Sequence, residues 1–249
     1  MKNIMVITAL LLSFSTRVYA DHHSRILDAV NNPNRPPADV ERDQSRKPAE
    51  VLQFVGLTEG MKVLDIFAGS GYYSEIVSYI VGDKGEVVLY NNAPWVEYLK
   101  SIGDDKRLEE GRLKNVKPLT MDANALALDS ERFDLALFVL GFHDLFYVDK
   151  SWPAIDSHKF LRGINHSLKT GGLFVVVDHV AVSGAAPETA TTLHRIDPAL
   201  IKSSSKAAGF ELVKQSNLLE NPKDTHLLPM GDPSVRGKTD RVLMVFRKL

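Results

Sequence analysis

The chain has 249 residues, a formal net charge of −1 and no cysteine. This length suits one domain with a sizeable core, and the near-neutral charge gives no electrostatic footprint of a protein that binds DNA or RNA. The lack of cysteine excludes disulfides, thiolate metal sites, a cysteine nucleophile and a lipoprotein anchor.

The first twenty residues have the pattern of a secretory signal peptide. A short, weakly basic start is followed by a mostly apolar run over residues 4–14. Val18 and Ala20 offer small residues at positions −3 and −1, so we expect cleavage before Asp21. A buried N-terminal helix and a membrane anchor are the alternatives, although the apolar run is short for a span. The sequence predicts a signal peptide over residues 1–20 and an exported protein, most simply in the periplasm.

An N-terminal extension over residues 21–47 follows the predicted signal peptide. Residues 21–30 favour a short helix, whereas residues 31–47 are polar and rich in proline and predict an extended segment lying over the domain. The main domain is predicted over residues 48–249. It begins with a helix at Pro48–Val55, which has proline in its first turn.

Strands and helices alternate through the main domain. The predicted strands cover residues 62–67, 86–90, 116–120, 133–140, 173–178, 210–215 and 241–246. The predicted helices cover residues 72–81, 94–100, 155–168 and 198–208. Glycines 171 and 172 are predicted to stop the third of these helices. The fourth strand is continuously apolar, as expected for a strand buried on both faces. This alternation predicts an α/β fold with a mostly parallel sheet and helices on both faces.

The turn after the first strand is the most informative motif of the chain. The run VLDIFAGSGY (residues 63–72) is an apolar strand that ends in an acid, followed by small residues and the start of a helix. Such a turn lets the backbone approach a nucleotide-like ligand closely, since Gly69 and Gly71 tolerate positive φ and carry no Cβ. No G-x-G-x-x-G follows the strand, which makes a dinucleotide-binding dehydrogenase a weaker interpretation.

Polar residues recur where the predicted strands end. They are Asp65 at the first strand, which the turn of Gly69 and Gly71 follows, Asn91 and Asn92 at the second, Asp122 and Asn124 after the third, His143 and Asp144 after the fourth, and Asp178 and His179 at the fifth. The carboxyl ends of parallel strands meet at one edge of the sheet, where ligands bind in such folds. The sequence therefore predicts a ligand site at this edge.

With these motifs the chain resembles the class I S-adenosylmethionine-dependent methyltransferases, from about residue 48 to the C-terminus. The resemblance is carried by VLDIFAGSG, LYNNAP, MDANAL, FDLALFVLGFHD and LKTGGLFVVVDH. LHRID and GKTDRVLMVFRK make the chain similar to a group of exported bacterial predicted methyltransferases. The resemblance implies a Rossmann-like, seven-stranded sheet with an antiparallel last strand, S-adenosylmethionine as cofactor, and methyl transfer to an unidentified small-molecule acceptor.

By position, the resemblance implies a set of cofactor-binding residues. They are Asp65, Phe67, Gly69, Gly71, Tyr72, Asn91, Asp122 and Ala123. Two of them depart from the family pattern, because Phe67 stands in place of the first glycine of the turn and Asn91 in place of an acid. An amide still binds a ribose hydroxyl but lacks the charge that strengthens the bond, at a cost of about 1 kcal/mol or more.

The predicted catalytic residues are His143, Asp144 and His179. His143 suits a general base because an imidazole titrates near neutral pH, and Asp144 would orient it or bind the acceptor. Asp178, His194, Arg195 and Asp197 are second-line candidates.

Three alternatives remain open. A metal site of His143, His179 and His194 with Asp144 or Asp178 has no local ligand spacing such as HExxH to support it, so we predict no metal. A hydrolase using Ser70 lacks the G-x-S-x-G spacing of a nucleophile elbow. A non-catalytic ligand-binding protein of the envelope is favoured by the predicted export and by the two departures in the cofactor motif.

Overall fold

The computed structural model of the protein describes residues 23–104 and 106–249, so the predicted signal peptide lies outside the described residues. The strands are β1 (Lys62–Ile66), β2 (Glu86–Asn91), β3 (Val116–Thr120), β4 (Phe133–Val139), β5 (Leu168–His179), β6 (Phe210–Ser216) and β7 (Arg241–Lys248). The helices are α1 (residues 23–30), α2 (Pro37–Arg46), α3 (Pro48–Val55), α4 (Tyr72–Val81), α5 (Ala93–Ile102), α6 (Ser157–Ser167), α7 (Thr189–Leu193) and α8 (Pro198–Ala207).

The strands form one seven-stranded sheet in the order β3-β2-β1-β4-β5-β7-β6. The pairs from β3 to β5 are parallel, whereas β7 runs antiparallel to both β5 and β6. The predicted α/β class, the Rossmann-like sheet of seven strands and the antiparallel last strand are confirmed. Strand order reverses between β1 and β4, which places the start of a ligand crevice at their carboxyl ends.

Helices cover both faces of the sheet because consecutive side chains of the central strands are apolar and point to opposite faces. On one face, Phe138 of β4 packs with Phe160 of α6 and with α8. On the other face, Leu137 of β4 packs with α4 and α3, and Ile26 of α1 is fully buried there. A strand that is buried on both faces needs an unbroken apolar run, and β4 has one over residues 135–139, after Asp134 near its start.

Residues 37–46 form a helix, so the prediction of an extended segment over residues 31–47 is wrong for them. Pro37 lies in the first turn of α2, where a missing N–H costs nothing and a fixed φ favours the helix. The helix is then fixed by ion pairs, since Arg35 donates to Asp43 at 2.7 Å and the Asp39 carboxylate lies 2.7 Å from the Arg107 guanidinium. Prolines alone do not reveal these distant partners.

The helix stop predicted at glycines 171 and 172 is also wrong. Helix α6 ends at Ser167, and β5 begins at Leu168 and runs through both glycines. The pairing of β4 with β5 shifts register between Phe133 and Leu135. Gly171, with a φ of +76°, therefore accommodates this shift of register within β5 and does not end a helix.

Candidate active site

The glycine turn (residues 67–71) joins β1 to α4 through three left-handed residues. Phe67, Gly69 and Gly71 have φ of 48°, 58° and 88°. The Gly71 N–H donates to the Ala68 carbonyl at 3.0 Å, and Ala68 donates to Tyr90 at the end of β2 at 3.1 Å. A Cβ built on Gly69 meets no atom within 4 Å, so this side of the turn faces open space.

Asn91 at the end of β2 holds the glycine turn with both ends of its amide. Its Oδ1 accepts from the Gly69 N–H at 3.0 Å, and its Nδ2 donates to the Gly69 carbonyl at 2.9 Å. The residue that replaces the family's acid is therefore engaged in fixing the turn. A carboxylate has no donor for the second of these bonds.

Asp65, one of the predicted cofactor-binding residues, faces α4. Its Oδ2 accepts from Ser74 Oγ at 2.6 Å, and burial raises the pKa of its carboxyl to about 7. Tyr72 faces the N-terminal extension, because its hydroxyl donates to Asp43 and the Arg46 guanidinium lies 4.5 Å from its ring centroid. Both side chains tie the glycine turn and α4 to their surroundings.

Phe67 lies in the core although its backbone is left-handed. Its ring centroid is 5.5–5.6 Å from those of four other aromatic residues: Tyr90, Phe138, Trp152 and Phe160. Burial of this ring offsets a backbone conformation that costs a non-glycine residue about 1–2 kcal/mol. A Cβ on Gly141, after β4, would lie 3.5 Å from Phe67 Cβ, so the turns after β1 and β4 touch.

A cavity of about 260 Å³ opens at the glycine turn. Its wall consists of the turn, α5, the loop after α5 and the ends of β2 and β3: Gly69, Ser70, Leu89, Asn91, Val96, Leu99, Lys100, Asp104, Arg107, Leu108, Pro118, Leu119 and Thr120. Of the predicted cofactor residues, Gly69 and Asn91 line this cavity. Asp122 caps the short turn Ala123–Ala125 by accepting from the Asn124 N–H at 2.8 Å, and Ala123 is buried in the core.

Arg107 is a cavity residue that the sequence analysis missed. Its guanidinium pairs with Asp39 of α2 at 2.7 Å and with Glu75 of α4, and it donates to the Ser70 carbonyl in the glycine turn. The side chain is 7% exposed. Arg107 belongs to no strand end and no motif, so only the fold reveals its place beside the glycine turn.

The histidine cluster (His143, Asp144, Asp178, His179 and His194) lies at the ends of β4 and β5. His143 follows β4 in the turn Phe142–Leu145. Its Nδ1 lies 2.8 Å from Asp178 Oδ1, and its backbone N–H donates to Asp178 Oδ2 at 2.8 Å. Its Nε2 lies 3.2 Å from Asp144 Oδ1. The second-line candidate Asp178 thus holds the ring and the backbone of the first-choice histidine.

Opposed carboxylates set the charge of His143. Burial by itself would lower the pKa of the imidazole, but the negative charges of Asp178 and Asp144 outweigh it and raise the pKa to about 9. Burial raises the pKa of Asp144 to about 6. Burial would also raise the pKa of Asp178, but His143 and its hydrogen bonds bring it below the usual range. At neutral pH the His143 ring is a cation between two carboxylates, not the free base expected from its residue type.

Trp95 closes one side of the cluster. Its indole Nε1 is buried without a hydrogen bond of normal geometry to any described residue. It lies near enough to Asp144 to lower the pKa of that carboxyl, against the stronger effect of burial. The ring centroid is 6.1 Å from that of Trp152, whose Nε1 donates to the Asp144 carbonyl at 3.0 Å.

The two remaining histidines have different surroundings. His179 is buried against Thr239 Oγ1 at 2.7 Å, and burial lowers its pKa to about 3, so it is neutral. His194 is half-buried at 5.4 Å from the His143 ring centroid, and its ring stacks on Tyr147 at 4.7 Å. His194 was a second-line candidate, yet the fold brings it beside His143 and Asp144.

Arg195 and Asp197, the other second-line candidates, serve the fold. Arg195 is fully buried and pairs with Asp224 at 2.8 Å. Asp197 caps α8 by accepting from the Ala199 N–H at 2.8 Å. Neither side chain has a free polar group directed at the histidine cluster in these contacts.

Comparison with known proteins identifies the family. Residues 57–227, more than half of the chain, match the family model described as a methyltransferase domain. Relatives include the ubiquinone/menaquinone biosynthesis C-methyltransferase UbiE of Shewanella sp. (strain W3-18-1), which is 32% identical over 127 residues, 51% of this chain and 46% of that protein. The chain spans about half the length of the curated relatives it matches.

Solved structures share the fold at low identity. An S-adenosylmethionine-dependent methyltransferase of Aquifex aeolicus has a TM-score of 0.55 at 20% identity, covering 91% of this chain and 98% of its own. The [4+2]-cyclase SpnF has a TM-score of 0.55 at 17% identity, covering 92% and 93%. At these identities the likeness shows the fold alone. With the family match, the chain belongs to the methyltransferase-domain family and has the fold of the class I S-adenosylmethionine-dependent methyltransferases.

Proposed function

We propose that this protein transfers a methyl group from S-adenosylmethionine, the cofactor of its family, to a small-molecule acceptor bound near the histidine cluster. The observation that carries the proposal is the contact between the two turns: Gly141 after β4 lies against Phe67 after β1. A cofactor at the glycine turn and an acceptor at the histidine cluster would therefore be neighbours. Alignment of two reactants is the largest requirement of such a displacement.

The cavity at the glycine turn fits the cofactor in position and in lining. Gly69 presents open space on its side-chain face, and the backbone of Gly69 and Ser70 lies in the wall. The volume of about 260 Å³ is slightly below the roughly 300–1,000 Å³ of typical ligand sites, so we expect a wall residue such as Arg107 to shift on binding. The backbone of Gly69 and Ser70 would hold the cofactor there, with Asn91 fixing Gly69 in place.

When bound, S-adenosylmethionine supplies an electrophilic methyl carbon whose sulfur leaves with the bonding electron pair. The histidine cluster would bind the acceptor and accept its proton. Asp144, whose raised pKa of about 6 makes it a stronger base than an ordinary carboxylate, is ionised at neutral pH and takes that proton. His143, held by Asp178, remains a cation that attracts an electron-rich acceptor.

Calorimetric titration of the pure protein tests the cofactor step directly. We expect one molecule of S-adenosylmethionine, and one of its demethylated product, to bind per chain. Absence of binding by either compound contradicts the proposal. Gly69→Ala provides the weakened-binding control, because its Cβ would enter the open space that the cofactor would occupy.

Transfer itself is tested by incubating the protein with methyl-labelled S-adenosylmethionine and small-molecule extracts. We expect label in an extract component with wild type and a loss of most label with Asp144→Asn. The relatives named for ubiquinone/menaquinone biosynthesis suggest quinone precursors as one fraction to include. Label that is unchanged in Asp144→Asn contradicts the assigned role of Asp144.

A non-catalytic ligand-binding protein is the second candidate. The observation that favours it is Asn91, whose amide is engaged with Gly69 and which offers no carboxylate for a ribose. Under this alternative the protein binds a ligand at the same edge but moves no label into any extract. Turnover of labelled methyl groups would contradict it.

We also propose export to the periplasm, on the pattern of residues 1–20. Within the described part of the chain, no helix has both the length and the apolarity to cross a bilayer. Mass spectrometry of protein purified from cell envelopes is expected to find Asp21 as the first residue. Recovery of the intact N-terminus from the cytoplasm would contradict this proposal.

A further inference from the structure

We propose that His143, Asp144 and His194 form a binding site for a divalent transition-metal ion. One ligand atom from each residue lies within 4.8 Å of the other two. His143 Nε2 and Asp144 Oδ1 are 3.2 Å apart, close to the roughly 3.3 Å between two ligands that each lie about 2.0 Å from a tetrahedral zinc ion. His194 comes from the loop before α8, so no local sequence spacing announces the site.

The second ring nitrogen of His143 has the partner that metal-binding histidines usually have. Nδ1 lies 2.8 Å from Asp178 Oδ1, and the Asp178 carboxylate also accepts from the backbone N–H groups of His143 and His179 at 2.8 and 2.7 Å. These bonds fix the ring with Nε2 directed at Asp144. A carboxylate on the far nitrogen orients a metal-binding imidazole and increases its basicity.

The charge of the cluster also favours a divalent cation. Asp144 and Asp178 are both buried, with 6% and 0% of their surface exposed. In the described part of the chain, neither forms a salt bridge with lysine or arginine, and their ion-pair partner is His143. The ion displaces the Nε2 proton of His143 to solvent, and the two buried carboxylates then balance its two positive charges, whereas an uncompensated buried charge is costly.

His194 gives the site an open side. Its backbone is left-handed, with φ of 50°, and its half-buried ring stacks on Tyr147. Two imidazoles and one carboxylate suit zinc or iron(II) and leave coordination positions for water or a substrate oxygen. In the metal-bound protein Asp144 is a ligand, so it takes the acceptor's proton only in the metal-free form.

Zinc titration by calorimetry, on full-length protein treated with EDTA, tests the site without cofactor or acceptor. The protein carries His22→Ala and His23→Ala, because this pair near the N-terminus is itself able to bind zinc. We expect one zinc ion per chain, and affinity that falls roughly 100-fold or more in His194→Asn and about 10–100-fold in Asp178→Asn. Asparagine tolerates the left-handed backbone at position 194.

His226→Asn is the matched control. His226 is also left-handed, with φ of 64°, and its Nε2 lies 2.9 Å from Asp240, but it is not part of the cluster. We expect its zinc affinity to equal that of the parent. Cobalt(II) provides a second readout, since coordination by the cluster gives an intense visible spectrum that His194→Asn loses.

Zinc binding that is absent in the parent, or equal in the parent and His194→Asn, overturns the proposal. Should His194→Asn fail to fold by circular dichroism, Asp144→Asn takes its place with the same expectation. Because the titration contains no S-adenosylmethionine, failure of the metal site leaves the proposed methyl transfer standing.

Discussion

The glycine turn and the histidine cluster lie side by side at one edge of the sheet, but they are built in opposite ways. At the glycine turn the polar side chains are hydrogen-bonded to other parts of the protein. Asn91 binds the backbone of Gly69, Asp65 accepts from Ser74, and Arg107 donates to the Ser70 carbonyl. What remains for a ligand is backbone and space. At the histidine cluster the charged side chains contact one another, and the half-buried His194 leaves one side of the cluster open.

This difference indicates which groups a ligand would contact in each region: backbone at the glycine turn and charged side chains at the histidine cluster. A turn that binds through backbone tolerates side-chain replacement, which explains how Phe67 and Asn91 stand where the family has other residues. A buried charged cluster tolerates little, because each group compensates the charge or the hydrogen bonds of another. Changes at the cluster should therefore cost more than changes at the turn.

Loss of Asp178 is the largest expected effect. Asp178→Ala removes a buried carboxylate that accepts three hydrogen bonds and leaves His143 without its main partner. We expect the free energy of unfolding in urea to fall by about 3–5 kcal/mol. Asp197→Ala, which removes the cap of α8, should cost only about 1–2 kcal/mol. Equal losses would show that the cluster carries no special energetic weight.

His143 and Asp65 should lose their contributions to the free energy of unfolding in different pH ranges. The raised pKa of His143, about 9, stabilises the folded state fully below pH 6.5, and this contribution of about 3 kcal/mol is lost as the pH rises through 9. The raised pKa of Asp65, about 7, gives a contribution that is lost between pH 3.8 and 7.

Urea unfolding as a function of pH measures both contributions. His143→Gln should remove the fall in the free energy of unfolding between pH 6.5 and 9. Asp65→Asn should leave that fall and reduce the one between pH 3.8 and 7, to which Asp144, with a pKa of about 6, also contributes. If the free energy of unfolding of His143→Gln still falls fully between pH 6.5 and 9, the positive charge assigned to His143 is wrong.

Two glycine substitutions separate strain from blockage at the turn. Gly69→Ala and Gly71→Ala share a left-handed backbone, but only the second places a Cβ against the cavity wall, 2.8 Å from Leu89 and 3.0 Å from Arg107. We expect Gly69→Ala to weaken S-adenosylmethionine binding about tenfold or more, which is about 1.4 kcal/mol, because its Cβ enters the open space proposed for the cofactor. Gly71→Ala, whose Cβ meets Leu89 and Arg107 instead, should change affinity about twofold to threefold. Calorimetry on both variants checks the order of the two effects, and the reverse order would place the cofactor against Leu89 rather than beside Gly69.

Restoring the family's acid is the smallest and most discriminating test. Asn91→Asp keeps an acceptor for the Gly69 N–H but loses the donor to the Gly69 carbonyl. We expect stability to fall by about 1 kcal/mol and affinity for S-adenosylmethionine to fall rather than rise. A gain in affinity would mean that residue 91 contacts the ribose, as the family pattern implies, and that its bonds to Gly69 are secondary.

Sequence reasoning reached the fold because the signals involved are local. Apolar runs, glycine stops and the glycine turn follow from residues near one another in the chain, and they located all seven strands to within a few residues at most ends. Helix α2 was missed, since its anchors Arg35–Asp43 and Asp39–Arg107 include a partner some seventy residues away. The site was reached in part: His143 and Asp144 were placed at the correct edge, but their charges were not.

The sequence by itself determined the alternation of elements, the mostly parallel sheet and the sheet edge at which the candidate site residues gather, because periodicity and the residues at strand ends are features of short stretches of chain. Only the tertiary structure decided that Asn91 is engaged with Gly69, that Phe67 belongs to the core, and that His194 joins His143 and Asp144. These are contacts between residues 22–93 positions apart, and a buried charge acquires its pKa from such neighbours rather than from its residue type.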